Sequence, residues 1–373
     1  MKKIILGLIT VMSVVYFTSA VKAEIALSGY MQFFAGSADQ QTYNGADANQ
    51  GTDKAGISDG HYSRITATAD TTLDSGINVA VTYNMSKDCR ATSTANCNIS
   101  VNQNDMAFTG GFGAINIGNT PGAGTMLHSR MTAGVPTGEP DGGVLGDYYT
   151  GDVANSYGAA NEVGYASNAT TVRFMSNSYE GLTVGLSYTP NMGEGFIGDA
   201  DNGQDNAYTT GVYNDRNEIV VKYATDIDGF GLAATVGYTS ANAGQQAGVN
   251  YNDLSQQTYS IKGSFGGFSA DWRMNDSSDS GRPTNDGTGG NVGTSMCGMY
   301  TTGAITLGAC EVTTDYDASL TTANETETRT VNAGYNLGGG VNVGVAFYSV
   351  TQTANLVTRT DVDGIITKLD IGF

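Results

Sequence analysis

Ile77–Met85 reads INVAVTYNM. In an extended chain Ile77, Val79, Val81, Tyr83 and Met85 fall on one side, and Asn78, Ala80, Thr82 and Asn84 on the other. His61–Asp70, HYSRITATAD, repeats the pattern: Ile65, Ala67 and Ala69 on one face, Arg64, Thr66, Thr68 and Asp70 on the other. A period of two marks β-strands with one apolar and one polar face. The polar faces are too consistently hydrophilic for the core of a soluble sandwich. Alternation over segments of about ten residues, apolar out and polar in, is the pattern of a barrel standing in a membrane.

The same alternation extends through most of the chain. Runs appear at 24–35, 102–110, 112–118, 161–177 and 182–189, then in pairs at 215–225 with 231–240 and 255–265 with 268–275. Further pairs are 292–302 with 304–314 and 325–337 with 341–351, before a last run at 361–373. Connections alternate between long polar stretches and tight turns such as Gly338-Gly339, as expected for a barrel with long external loops and short periplasmic turns. Dividing 161–177 in two would give seventeen strands and put later long loops on the wrong side. Reading it as one bulged strand gives sixteen. The predicted fold is therefore all-β, a sixteen-stranded antiparallel transmembrane barrel, wide enough for an aqueous channel.

Residues 119–160 break the rhythm. They hold no sustained period, several glycines, Pro136 and Pro140, and the acids Glu139, Asp141, Asp147 and Asp152 against a single Arg130. Loops this long tend to be functional, and this one is expected to fold into the barrel and narrow it. Charge at a narrow section sets ionic selectivity, so the four acids are the candidate constriction groups. Strand parity directs Arg64, Arg173, Lys222, Lys262, Arg273 and Lys368 to the lumen as candidate wall cations. Lys368, near the periplasmic end, is better read as a partner of Asp370 or of the mature N-terminus.

The chain opens with Lys2 and Lys3, an apolar stretch at Ile4–Tyr16 and a small-x-small site at Val21-Lys22-Ala23. Residues 1–23 thus read as a cleaved signal peptide, with an N-terminal anchor as the alternative, and 24–373 as one domain. That domain carries fourteen basic residues against 36 acidic ones, a net charge of −22. Such a chain repels nucleic acid and favours cations. No later run approaches the roughly 20 apolar residues of a membrane helix.

Four cysteines fit an oxidising compartment and fall into two local pairs, Cys89 with Cys97 and Cys297 with Cys310. The second pair is symmetric about Gly303-Ala304. A two-residue turn there sets the two cysteines directly opposite each other. Zinc is disfavoured, since neither a CxxC spacing nor a nearby histidine is present. Asp199, Asp201 and Asp205 partly match a calcium loop without its later carboxylates. They offer a possible Ca2+ site, and no cofactor is otherwise required. His61 and His128 lie in no catalytic motif; His128, in the long loop, reads as an ordinary loop histidine, with a pore-lining place as the alternative. Trp272 alternates onto the lipid face with Phe268 and Ala270.

On the signal peptide, HYSRITATAD, the GGFGAINIGN strand before the longest loop, the segment NEVGYASNATTVRFMSNSYEGLTVGLSYTP after it, and the terminal Phe373, the chain resembles the general porins of Gram-negative bacteria, of the alphaproteobacterial kind. The resemblance implies a homotrimer in the outer membrane. It implies an inward-folded third external loop with Arg64 facing it, and passive diffusion of ions and small hydrophilic solutes. Contacts with lipopolysaccharide and recognition of Phe373 by the barrel-assembly machinery belong to the same expectation. A barrel acting mainly as a surface receptor or adhesin is the alternative.

Overall fold

The computed structural model describes residues 24–44, 47–48, 54–59, 63–87, 99–128, 169–191, 213–243, 245–246, 249–278, 280, 284, 291–319, 322–354 and 358–373. The wall begins with β1 (Glu24–Asn44). Its neighbour β2 comes in two segments, Lys54–Asp59 and Ser63–Thr72, which pair with successive stretches of β1. Then follow β3 (Asn78–Lys87), β4 (Ile99–Gly110), β5 (Gly113–Asn119), β6 (Thr170–Met175), β7 (Leu182–Asn191) and β8 (Tyr213–Ile227). The second half runs β9 (Phe230–Ala243), β10 (Leu254–Phe265), β11 (Phe268–Asp276), β12 (Asn291–Thr302), β13 (Ile305–Ser319), β14 (Thr322–Gly338), β15 (Val341–Ala354) and β16 (Thr358–Gly372). Every strand pairs antiparallel with its sequence neighbour, and β1 pairs with β16 from Tyr30↔Gly372 to Asn44↔Thr358. The sheet closes on itself as sixteen antiparallel strands.

Closure is completed at one rim by Phe373, whose backbone exchanges two hydrogen bonds with Gly29 (2.8 and 2.9 Å). Several strands run past their apolar cores. β1 continues through Gly36–Asn44, read from sequence as the start of a loop, and Lys54–Asp59 adds an upper segment to β2. The cause is that ladder bonding needs backbone groups only, so Thr, Asn, Gln and Asp extend a strand once its neighbour is in place. Of 161–177, the structure describes Thr170–Met175 as strand; 161–168 lie outside the described residues.

Side chains alternate as expected over most of the wall. Val81, Tyr83, Met106, Leu186, Ile219, Val236, Tyr238, Ile261 and Trp272 are exposed on the outside, and Asn84, Asp105, Ser187, Thr235, Thr239, Thr258 and Thr328 are buried on the inside. One sector departs from polar-in. Phe34, Ala38, Ala346, Tyr348, Val350, Val362 and Ile366 form a buried apolar cluster on the inner face of β1, β15 and β16. Ile365 and Ile366 make opposite faces of β16 apolar at the same level, so alternation alone could not assign that stretch.

No helix among the described residues is long and apolar enough to cross a membrane.

Candidate functional site: the inner wall and the start of the long loop

The long segment leaves β5 at Asn119 and turns inward. Residues 120–128 are described. They carry one short helical turn, α1 (Ala123–Leu127), laid against the inner faces of β6 to β9. Ala123 and Leu127 pack on Val220, with Met175 at the edge. Polar contacts fix the turn at both ends. The Ala123 amide donates to Ser187 Oγ (3.1 Å), and the Gly124 amide donates to Glu218 Oε2 (3.3 Å). Thr235 Oγ1 donates to the Leu127 carbonyl at 3.4 Å. Arg173 Nη1 donates to the Pro121 carbonyl at 2.6 Å.

Glu218 organises this seat. Its carboxylate also accepts from Ser187 Oγ and pairs with Arg216, each side chain of the pair being about 1% exposed. Buried charge is tolerated where it is paired and its remaining valences are used. The wall gives room as well as bonds. A Cβ at Gly185 would stand 2.8 Å from Leu127 Cδ1 and 2.9 Å from Ala123 Cβ, and one at Gly237 would stand 2.8 Å from His128 Nε2.

The ordinary-loop reading of His128 is corrected: it lies 7% exposed inside the barrel, with Nδ1 3.3 Å from Ser260 Oγ on β10. Burial, then the guanidinium of Arg273 and the ammonium of Lys222, push its pKa down to about 3, so the ring is neutral at pH 7.

Eight cationic side chains are described in the wall. Arg64, Arg173, Arg216, Lys222, Lys262, Arg273 and Lys368 alternate with outward-facing neighbours and point inward; Arg329 alone points out. The inward ones are unevenly spread. Arg173 on β6, Arg216 and Lys222 on β8, Lys262 on β10 and Arg273 on β11 share one arc. Arg64 stands apart on β2, with Cζ 5.8 Å from the Tyr30 ring centroid. Lys368 lies 6.0 Å from the Phe34 ring and two residues from Asp370. From β12 to β15 the described inward side chains carry no charge. They are mostly Thr and Asn, with Val312, Tyr348 and the Cys297–Cys310 disulfide. That disulfide joins directly opposed residues across the turn at Gly303-Ala304, with a Cα–Cα distance of 4.2 Å.

Sequence parity overlooked Arg216, Glu218, Asp105 and Asp271, although the same alternation that selected Lys222 and Arg273 contains them. Asp105 ends a polar chain across β2 to β5. Thr66 donates to Asn84 Oδ1 (2.6 Å), Asn84 to Gln103 Oε1 (2.7 Å), and Gln103 and Asn116 donate to the two Asp105 oxygens (2.9 and 2.7 Å). Glu139, Asp141, Asp147, Asp152, the pair Cys89 and Cys97, the triad Asp199, Asp201 and Asp205, and residues 1–23 lie outside the described residues. Trp272 is on the outer face with Phe268 and Ala270.

A closed barrel of this size, apolar outside and charged within, defines a membrane channel. The sequence profile of the Gram-negative porins matches residues 10–355, and the chain belongs to that family. Among solved structures it is similar to the anion-selective porin from Comamonas acidovorans (TM-score 0.65, 12% identity, covering 94% of this chain and 100% of that one). It is similar also to the outer membrane channel DcaP of Acinetobacter baumannii (TM-score 0.61, 11% identity, 94% and 97%) and to a mutant of Rh. blastica porin (TM-score 0.53, 16% identity, 94% and 100%). At these identities the likeness is one of fold. No curated protein sequence matches the chain. The protein is a porin channel of the Gram-negative outer membrane.

Proposed function

We propose that the channel passes ions and small hydrophilic solutes by passive diffusion, with 119–160 as its constriction. One observation carries this reading: residues 120–128 enter the barrel and are bonded to its inner wall at Ser187, Glu218 and Thr235, inside the arc of Arg173, Lys222, Lys262 and Arg273. In this reading Glu139, Asp141, Asp147 and Asp152 line the narrow section and Arg64 faces them.

The net charge of −22 and the four loop acids support a preference for cations. A second reading, anion preference, is favoured by the wall, whose seven inward cations narrowly outnumber the inward acids Asp70, Asp105, Glu218, Asp226, Asp271 and Asp370 among the described residues. Reversal potential across a salt gradient in a planar bilayer decides between them: a cation-selective sign supports the first reading and an anion-selective sign overturns it. A folded, heat-modifiable preparation without conductance would overturn the diffusion channel itself in favour of a plugged surface receptor.

The working unit in this reading is a homotrimer, assembled through recognition of Phe373 by the barrel-assembly machinery and set among lipopolysaccharide. Conductance steps in threes are its expected signature. Asp199, Asp201 and Asp205 are proposed as a weak external Ca2+ site; calorimetric titration of Ca2+ against the triple Asn variant tests it, and identical heats would remove it.

A further inference from the structure

At the seam where β16 meets β1, the inner wall holds two opposite charges that do not meet. Arg64 on β2 and Asp370 on β16 both point inward, one on each side of β1. Tyr30 on β1 stands between them. It is the ladder partner of Arg64 on one side and of Gly372, two residues from Asp370, on the other. The Arg64 guanidinium lies over the Tyr30 ring, with Cζ 5.8 Å from the centroid. The phenol is within the electrostatic field of both Arg64 and Asp370. All three side chains are half-buried, so each keeps an edge open to the lumen. Further along the same face of β1 the wall closes: Phe34 is 2% exposed within the inner apolar cluster. Tyr30 is therefore the aromatic surface of this seam that a solute can touch.

Neither charge has a counter-ion in the wall. Among the described residues the Arg64 side chain makes no hydrogen bond or ion pair, and its Nε is enclosed without an acceptor. The Asp370 carboxylate makes none either, and its Oδ1 is enclosed without a donor. Lys368, on the same strand, lies against the Phe34 ring, 6.0 Å from its centroid. Partly buried charge without a partner is unfavourable, and elsewhere this wall pairs its charges, as Glu218 does with Arg216. Strands stand about 4.8 Å apart and rise about 3.3 Å per residue, so Arg64 and Asp370, two strands across and two residues along, are roughly 12 Å apart at the backbone. With Tyr30 between them they form two poles facing one space. Gln32 and Asn342, the half-buried ladder partners of Asp370, add neutral donors and acceptors on the same face.

We propose that Tyr30, Arg64 and Asp370 form a binding subsite for a small zwitterionic solute, an amino acid with an apolar side chain. The solute's carboxylate takes the fork of Arg64, whose geometry matches a carboxylate with two parallel bonds. Its ammonium group takes Asp370, and its side chain lies on the open part of the Tyr30 ring. A singly charged solute satisfies one pole and leaves the other without a partner, so the site favours molecules that carry both charges. The inference rests on the diffusion channel proposed above and deepens it: most solutes pass, and this class pauses at the wall.

The probe is L-phenylalanine. It is compared with hydrocinnamate, which keeps the ring and the carboxylate, and with phenethylamine, which keeps the ring and the ammonium group. Calorimetric titration of the folded protein in detergent reads binding, and interruptions of the single-channel current in a planar bilayer read residence in the lumen. L-Phenylalanine should bind saturably and interrupt the current, with an affinity about tenfold above that of either analogue, the worth of one charge-assisted bond. Arg64→Gln and Asp370→Asn should each weaken it by about tenfold on the same ground. Met299→Gln, in the uncharged arc, should leave it unchanged. Asp370 belongs to the closing strand; should Asp370→Asn not assemble, Arg64→Gln and Tyr30→Leu carry the test in its place. Equal binding of an analogue, or an Arg64→Gln variant that binds L-phenylalanine as the wild type does, overturns the subsite. A conducting channel without saturable binding overturns it too and leaves the diffusion reading standing. A folded protein that binds L-phenylalanine and does not conduct overturns the diffusion reading and keeps the subsite.

Discussion

Two arcs of the inner wall, six strands each, are built on different terms. From β6 to β11 the inside is ionic and holds the incoming loop: Arg216 faces Glu218, Lys222 and Arg273 flank His128, and α1 is bonded along the way. From β12 around to β1 the described inward side chains are uncharged except near the rim at Lys368 and Asp370. Threonines give way to the cluster of Phe34, Tyr348, Val350, Val362 and Ile366. One half is specialised to anchor and to set a field, the other is electrically quiet. Field asymmetry across a lumen steers ions of opposite sign to opposite sides, so the ionic half is where selectivity should be adjustable.

The contrast is broken most directly at Glu218. Glu218→Leu removes the carboxylate that Arg216, Ser187 and Gly124 share. It should cost about 3–5 kcal/mol, the usual cost of deleting one member of a buried pair, seen as a lower urea midpoint in detergent and noisier conductance as α1 loosens. An unchanged midpoint would mean that the ionic half is not structural.

Acid attacks the same half. His128 is neutral when seated, with a pKa near 3 against an ordinary value of 6.5. Its contribution is therefore complete above pH 6.5 and is lost as pH falls from there towards 3. The loss is about 1.4 kcal/mol per pH unit, hence on the order of 3 kcal/mol by pH 4. Conductance noise should rise over this window in wild type, and the rise attributable to residue 128 should be absent from His128→Phe.

In the quiet half the corresponding lesion is Cys297→Ser with Cys310→Ser. Chain-entropy arguments give about 3 kcal/mol for a loop of this length. The flanking β12–β13 ladder and the turn at Gly303-Ala304 already align the strands, so the measured loss should be nearer 2 kcal/mol and ion selectivity should not move. A reversal potential that shifts on losing this disulfide would erase the distinction between the halves.

The smallest effect sharpens the comparison. Lys222→Gln or Lys262→Gln should shift the anion-to-cation permeability ratio toward cations by about threefold each, the effect of one charge at several ångströms in a watery dielectric. Met299→Gln on β12 should leave the ratio within error. Equal shifts from both sides would indicate that ions do not follow the charged arc.

The barrel was legible because alternation is a strong signal wherever one face meets lipid. INVAVTYNM fixed a strand and its inward side, and the spacing of Cys297 and Cys310 fixed a register that the structure reproduces residue for residue. Two things escaped. The inner cluster around Phe34 and Ile366 was hidden because both faces of those strands are apolar over part of their length. The seat of the long loop was hidden because its partners, Ser187, Glu218, Thr235 and Ser260, lie 64 to 132 residues downstream and look, in sequence, like any other inward polar residues. His128 shows the same limit: its neighbours are Gly237 and Ser260, and nothing adjacent to it in the chain announces burial.

Gly185 and Gly237 extend that observation. They are the mould of α1 and His128, hollows in the shape of what lies in them. In a related barrel, methyl groups at these two positions would leave no place for the first turn of the loop and send it along another course, however similar the loop itself. Vacancies on the inner wall are thus a track that can be followed without knowing the loop. The same logic offers an engineering handle: Gly185→Ala should displace the loop while every residue of the loop stays as it is.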